Sequence, residues 1–154
     1  MAAGIKVDGF DKIDANLEKV LTGAKAKREQ LHEKVATELK TMVDQSIGKN
    51  LNDANGKVRS WQVRHVGSLG GYAAVHPGDM QYRGTAVGAV TNYLEVGHKV
   101  RVARTLKGAK RSKSKKIRVV GRFFYYAVKA DAKRIGIEAS EELAEWVKKQ
   151  IESG

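Results

Sequence analysis

Residues 31 to 47 read LHEKVATELKTMVDQSI, and their apolar members recur every three or four positions. Leu31, Val35, Leu39, Met42, Val43 and Ile47 therefore fall on one stripe of an α-helix that begins near Lys25, while Lys27, Glu29, Lys34, Glu38 and Lys40 belong mainly to its wet face. Such a stripe is stable only when another part of the chain covers it. The helix stops in Gly48-Lys-Asn-Leu-Asn-Asp-Ala-Asn-Gly56, where Asn and Gly favour turns and positive φ.

Working outward, Val7, Phe10, Ile13, Leu17, Val20 and Leu21 mark a preceding short helix to about Thr22, capped by Asp8 or Asp11, with Gly23 ending or bending it. After Gly56 the period shortens. Lys57 to Val66 mixes β-branched and aromatic residues with polar ones, as a half-buried strand does; Gly67-Ser-Leu-Gly-Gly71 is a turn, and Tyr72 to His76 is the partner strand of a hairpin, closed by Pro77-Gly78-Asp79. Residues 85 to 97 fit a short helix running into a strand, the division between them left open by the pattern. Ile117-Arg-Val-Val120 reads as a return strand which, paired with Val96 to Val102, makes residues 103 to 116 the tip of a long β-arm. The last element begins in Phe123-Phe-Tyr-Tyr-Ala-Val128 and continues as an amphipathic helix through Ile135, Ala139, Leu143, Trp146, Val147 and Ile151. Gly136 is a candidate break in it, and acids precede lysines in the order the helix dipole favours. The expected fold is α+β: an antiparallel sheet with a long N-terminal helix and a C-terminal helix packed on one face, plus a long basic arm or loop. At 154 residues, one domain is expected, with residues 99 to 122 as the arm within it.

No window approaches the eighteen or so apolar residues of a membrane span, and MAAGIKVDGFDKID lacks the basic-then-apolar layout of a secretory signal. The chain has no cysteine, which removes disulfides and thiolate metal sites. Synthesis in a cytoplasm is expected. Enzyme chemistry finds little support. No serine sits in a G-x-S-x-G elbow, and His32, His65, His76 and His98 form no H-x-x-x-H or H-x-E pattern; His32 lies beside the apolar stripe and reads as structural. Asp79, Glu95 and Lys99 resemble the acids and lysine of a metal-dependent nuclease. There, however, the second acid stands two residues before the lysine on one strand, whereas Glu95 and Lys99 are four apart with Gly97 between. Gly67 to Gly71 and Gly84 to Gly88 lack the Lys followed by Ser or Thr of a phosphate cradle and read as turns. No cofactor, metal or catalytic residue is expected.

The net charge is +12, but it is not spread evenly. Eleven of the 29 Lys and Arg lie between Lys99 and Arg122 with no acid among them, leaving eighteen cations against seventeen acids elsewhere. The arm cations are Lys99, Arg101, Arg104, Lys107, Lys110, Arg111, Lys113, Lys115, Lys116 and Arg118, followed by Arg122. Three roles fit them: salt-sensitive contact with DNA or RNA, a solvated loop, or an arm that orders against an acidic surface of another subunit or protein. Base-stacking aromatics are missing from the segment, which argues against single-strand recognition.

Val90-Thr-Asn-Tyr-Leu-Glu-Val-Gly-His-Lys-Val-Arg101, followed after the basic stretch by Val120-Gly-Arg-Phe-Phe-Tyr-Tyr-Ala127, resembles the tail-component family of long-tailed bacteriophages, the tail-completion or head-to-tail joining proteins. The likeness extends to Ile5-Lys-Val-Asp-Gly-Phe-Asp-Lys-Ile13, Trp61 and Gly70-Gly-Tyr72, nearly the whole chain in the expected order. Its motif residues here are Tyr93, Glu95, Gly97, His98, Phe123 and Phe124. Many relatives carry threonine where this chain has His98 and proline where it has Arg122, and a Pro and a Thr-Gly pair after the long helix where this chain has Asn55-Gly56.

The resemblance implies a non-enzymatic virion protein of the neck or tail end, made in a bacterial cytoplasm. It would assemble as a ring of about six subunits, with tail-tube and head-connector proteins as partners and passing contact with genomic DNA. On that reading the basic arm meets protein, because a strongly cationic channel would grip a genome that must slide through it. Tyr93, Glu95 and Gly97 would specify the fold, with Glu95 facing solvent or pairing with an arginine and Gly97 permitting a bend or bulge; Phe123 and Phe124 would belong to the core. The alternative is a DNA-binding accessory protein using residues 99 to 122.

Overall fold

The computed structural model describes residues 10 to 99 and 118 to 152. Helix α1, Phe10–Asn50, is followed by α2, Lys57–Trp61, and strand β1, Gln62–Val66. A 3-10 turn at Ser68–Gly70 leads to β2, Ala73–Pro77, then to β3, Gln81–Tyr82, and β4, Thr85–Ala86. Helix α3, Val87–Val96, runs directly into β5, Gly97–Lys99; β6, Arg118–Val120, precedes α4, Phe124–Ala127, and α5, Lys129–Glu152. The class is α+β and mostly helical, with the strands in three two-stranded sheets, β1 with β2, β3 with β4 and β5 with β6. No helix among the described residues is long and apolar enough to cross a membrane.

The chain gathers into two compact units. The first comprises α1 as far as Leu39, Arg64–Ala74 and the chain from Ala130 onward. Leu31, Val35, Ala36 and Ile135 are its buried apolar residues. Of the two alternatives at Gly23, an end to the helix does not occur, since α1 is one continuous helix; a Cβ there would lie 2.8 Å from the ring of Trp146. Gly136 likewise leaves α5 unbroken. Gly70, at φ +62°, lies so close to α1 that a Cβ would stand 2.9 Å from the Glu29 amide nitrogen; the Arg28 guanidinium donates to the Leu69 carbonyl at 3.0 Å. Buried Asn16 donates to the Ile151 carbonyl at 3.3 Å, and Lys27 meets Glu142 at 2.8 Å. The Lys27 and Lys34 ammonium groups hold the Glu142 carboxyl below its ordinary range, against a weaker opposing effect of burial. His32 turns its Nδ1 to the Arg28 carbonyl of its own helix at 2.9 Å, a structural position as expected.

The second unit comprises Lys40–Val63 and Val75–Lys129. Val43, Ile47 and Phe124 form its core, with Leu51, Val58, Val75, Leu94, Tyr125 and Val128 packed against them. The expected strand over residues 57 to 66 is half helix. Its first five residues are α2, because the Asp53 carboxylate, nearly buried, accepts the free amides of Val58 and Arg59 at 3.1 Å each while Trp61 goes inward. Arg59 closes the arrangement by donating Nε to the same carboxylate at 3.3 Å and Nη2 to the Asp53 carbonyl at 3.0 Å. A carboxylate at free helix amides supplies the cap that Gly56, without a side chain, lacks. In the β3–β4 hairpin, Arg83 at φ +51° and Gly84 at φ +76° form the connection, the twist two-residue hairpins favour. Gly88, read from sequence as part of a turn, lies within α3.

Burial alone would raise the Asp53 pKa, but the Val58 and Arg59 amides and the guanidinium outweigh it and hold the carboxyl below its ordinary 3.8. Since the folded-state value lies below the unfolded one, the stabilisation is fully present above about pH 4 and disappears as pH falls through the folded-state value. Urea unfolding of Asp53→Asn at neutral pH is expected to show a loss of about 1–2 kcal/mol, together with a shallower fall in stability between pH 5 and pH 2 than the unaltered chain. Equal stability of the two proteins at pH 7 would contradict this account.

Candidate functional site at the root of the basic segment

Of the cations expected to form an interaction arm, Arg101, Arg104, Lys107, Lys110, Arg111, Lys113, Lys115 and Lys116 lie outside the described residues. Lys99 and Arg118 are described, directly opposite one another at the outer end of the β5–β6 ribbon. The ribbon is antiparallel, Gly97 facing Val120 and His98 facing Val119, so the two flanks of the basic segment do pair as the sequence suggests.

How α3 becomes β5 explains the two glycines at the root. The Gly97 amide donates to the Tyr93 carbonyl and ends α3, and its φ of +77° turns the chain into the strand. A side chain at Gly97 would collide with the Val119 carbonyl and stand 2.6 Å from the Gly121 nitrogen; one at Gly121 would collide with the Glu95 carbonyl and stand 2.6 Å from the Val96 carbonyl carbon. The two backbones approach too closely for any Cβ between them. Gly97 therefore does permit a bend, but Gly121 is equally required and was not singled out by sequence reasoning. Its only signal was the glycine in Val120-Gly-Arg.

Beyond Gly121 the chain is tied back to α3. The amides of Arg122 and Phe123 donate to the carbonyls of Leu94, at 2.8 Å, and Glu95, at 3.1 Å. The Glu95 carboxylate accepts the amides of Tyr125 at 3.1 Å and Tyr126 at 3.0 Å, one on each oxygen. Glu95 thus caps α4 instead of pairing with an arginine or facing solvent, and both of its oxygens are engaged. Phe124 is fully buried, its carbonyl accepting from the buried Ser46 hydroxyl at 2.9 Å. The Tyr125 hydroxyl donates to Oε1 of buried Gln62, whose Nε2 donates to the Val58 carbonyl at 3.0 Å. Burial, reinforced by the Glu95 charge, pushes that hydroxyl well above its ordinary 10.0, so it remains a donor.

Phe123 corrects the expectation that both phenylalanines are core. It occupies the left-handed region at φ +52°, outside α4, and is 49% exposed. A phenylalanine there is unfavourable by about 1–2 kcal/mol, and the bond from its own amide to the Glu95 carbonyl, with that from Ser46 to the Phe124 carbonyl, holds it in place. The neighbouring elements carry further exposed apolar side chains: Tyr93, in ring contact with His98 at 5.2 Å, Val96, Val119, Val120 and Tyr126. His98 and Val119, opposite each other, lie on one face of the ribbon; Val120, opposite Gly97, lies on the other with Lys99 and Arg118. The site is a clamped root with an apolar exterior and a cationic continuation. Among the described residues no three His, Asp or Glu side chains gather in a metal-binding arrangement.

Comparison of the chain with protein-family models, with curated proteins and with solved structures finds no match.

Gly121→Ala is expected to lower stability by about 2–4 kcal/mol in denaturant unfolding, since the Cβ meets backbone on the neighbouring segment and no side chain can move aside. Gly88→Ala, with open space around it and an ordinary helical φ, is expected to be neutral or stabilising by up to about 1 kcal/mol. Glu95→Ala is expected to cost about 1–2 kcal/mol and to speed amide hydrogen exchange selectively at Tyr125 and Tyr126. Unchanged exchange at those two amides would remove the clamp from the account.

Proposed function

We propose that this chain is a structural subunit of a tailed-phage virion, a ring-forming neck or tail-completion protein that joins the tail tube to the head connector. The observation that carries the reading is the root just described. The described flanks of the cationic segment are held by two glycines and a capping carboxylate, and Tyr93, Val96, Val120, Phe123 and Tyr126 on these elements remain exposed. Large apolar side chains left exposed on ordered elements are candidates for a contact that another protein covers. The motif residues Tyr93, Glu95, Gly97 and Phe124, on which the family resemblance rests, all belong to this root.

The protein works by being placed. Glu95 and Phe124 fix the direction in which the ribbon leaves, the exposed apolar residues supply area to be buried, and the cations select acidic partners and speed their encounter. Ring closure by about six copies, virion location and the choice of tail tube and connector as neighbours follow from the resemblance.

Light scattering and negative-stain microscopy of the purified protein are expected to show oligomers, or rings formed on addition of tail-tube or connector protein. A chain that stays monomeric at high concentration and associates with neither would overturn the reading. Titration with duplex DNA at two salt concentrations separates the alternative. Tight, salt-sensitive binding that is lost when Lys107, Lys110, Arg111, Lys113, Lys115 and Lys116 are neutralised, in a protein that does not self-associate, would favour a DNA-binding accessory protein instead.

A further inference from the structure

Two surfaces of the described chain have an apolar centre and a charged rim, and the rims are opposite in sign. On α1, Leu17 and Leu21 lie one turn apart and are 46% and 76% exposed. Asp14 and Glu18 stand on the same side of the helix, also exposed, and line one shallow hollow with the two leucines. Neither carboxylate makes an ion pair among the described residues; they rim the N-terminal part of the row, and exposed Lys25, one turn beyond Leu21, bounds its other end. On the β5–β6 ribbon, the register puts Gly97, Lys99, Arg118 and Val120 on one face. Val120, 70% exposed, sits opposite a residue with no side chain, and its nearest charged neighbours on that face are both cations. Leu21, Tyr126 and Val120 are the three most exposed large apolar side chains among the described residues, so both surfaces are centred on one of them.

Resting on the ring reading above, we infer that these two surfaces are the two halves of a head-to-tail contact: the Lys99–Arg118–Val120 face of one copy docks on the Asp14–Leu17–Glu18–Leu21 row of a second copy of the same chain. Charge selects this pairing. Either surface placed against itself would set like charges together, which opposes the contact, whereas each placed against the other pairs acids with cations around two apolar centres. A contact between two different surfaces of one chain is heterologous, so it propagates from subunit to subunit and closes as a ring when the rotation per step permits. A two-fold dimer would instead need one of these surfaces to be complementary to itself.

The test exchanges the charges. One variant carries Asp14→Lys and Glu18→Lys, a second carries Lys99→Glu and Arg118→Glu, and a third carries all four. In sedimentation velocity at matched concentration, the first and second are each expected to self-associate at least about tenfold more weakly than the unaltered chain. An equal mixture of the first two, and the third alone, are both expected to recover assembly, because each again offers opposite charges across every contact. Leu21→Gln and Val120→Gln, single changes at exposed positions, are expected to weaken assembly without altering charge, and circular dichroism checks that all variants are folded. If the first and second variants assemble like the unaltered chain, other surfaces make the ring and this pairing is wrong while the ring reading survives. Loss of assembly without recovery in the mixture or in the third variant also rejects the pairing. An unaltered chain that is monomeric alone and with its proposed neighbours rejects the ring reading, and this inference with it.

Discussion

Just after strand β6, a carboxylate aimed at free helix amides and a phenylalanine driven into the core hold the backbone in a conformation it would otherwise avoid. Glu95 satisfies two of the orphan donors at the start of α4, Ser46 donates to the carbonyl of Phe124, and Phe124 packs against Val43 and Ile47 of α1. Immediately before these attachments Phe123 is left in the left-handed region with its ring half in water. The close crossing of Gly97 and Gly121 completes the junction from the other side. Helix α3, the ribbon and α4 are thereby one piece of structure, and the direction of the ribbon is set by the core beneath it.

That arrangement explains why an uneven charge distribution is compatible with an ordinary fold. Eleven cations fall between Lys99 and Arg122 in the sequence, where strands β5 and β6 pair at the two flanks, while the remainder of the chain is nearly neutral. Several described cations elsewhere have acidic partners: Arg59 with Asp53, Lys27 and Lys34 with Glu142, Arg134 with Glu138. Exposed pairs of the last kind contribute little, whereas Asp53, nearly buried and receiving two amides as well, shapes α2.

The stripe on α1 was legible because helical periodicity is a local property: Leu31, Val35, Val43 and Ile47 are buried just where a period of 3.6 puts them. The ribbon was legible for a similar reason, β-branched residues flanking a long polar insertion. Other features were not. The strand pattern of residues 57 to 66 was overridden in its first half by a carboxylate four residues upstream, whose effect depends on where the chain folds back. Gly23 and Gly136 look like helix breaks, but glycine interrupts a helix only when nothing around it rewards continuity, and Gly23 faces the ring of Trp146.

By itself the sequence determined the elements whose signal lies within a few turns of chain, the α+β class, and the concentration of charge between residues 99 and 122. Tertiary structure alone decided that Glu95 is a cap for a helix thirty residues later, that Gly121 matters as much as Gly97, and that of two adjacent phenylalanines one is core and the other half exposed. The physical reason is the same in each case. A hydrogen bond or a forbidden Cβ belongs to a pair of segments, and a residue's period along the chain carries no information about the segment that will lie across from it.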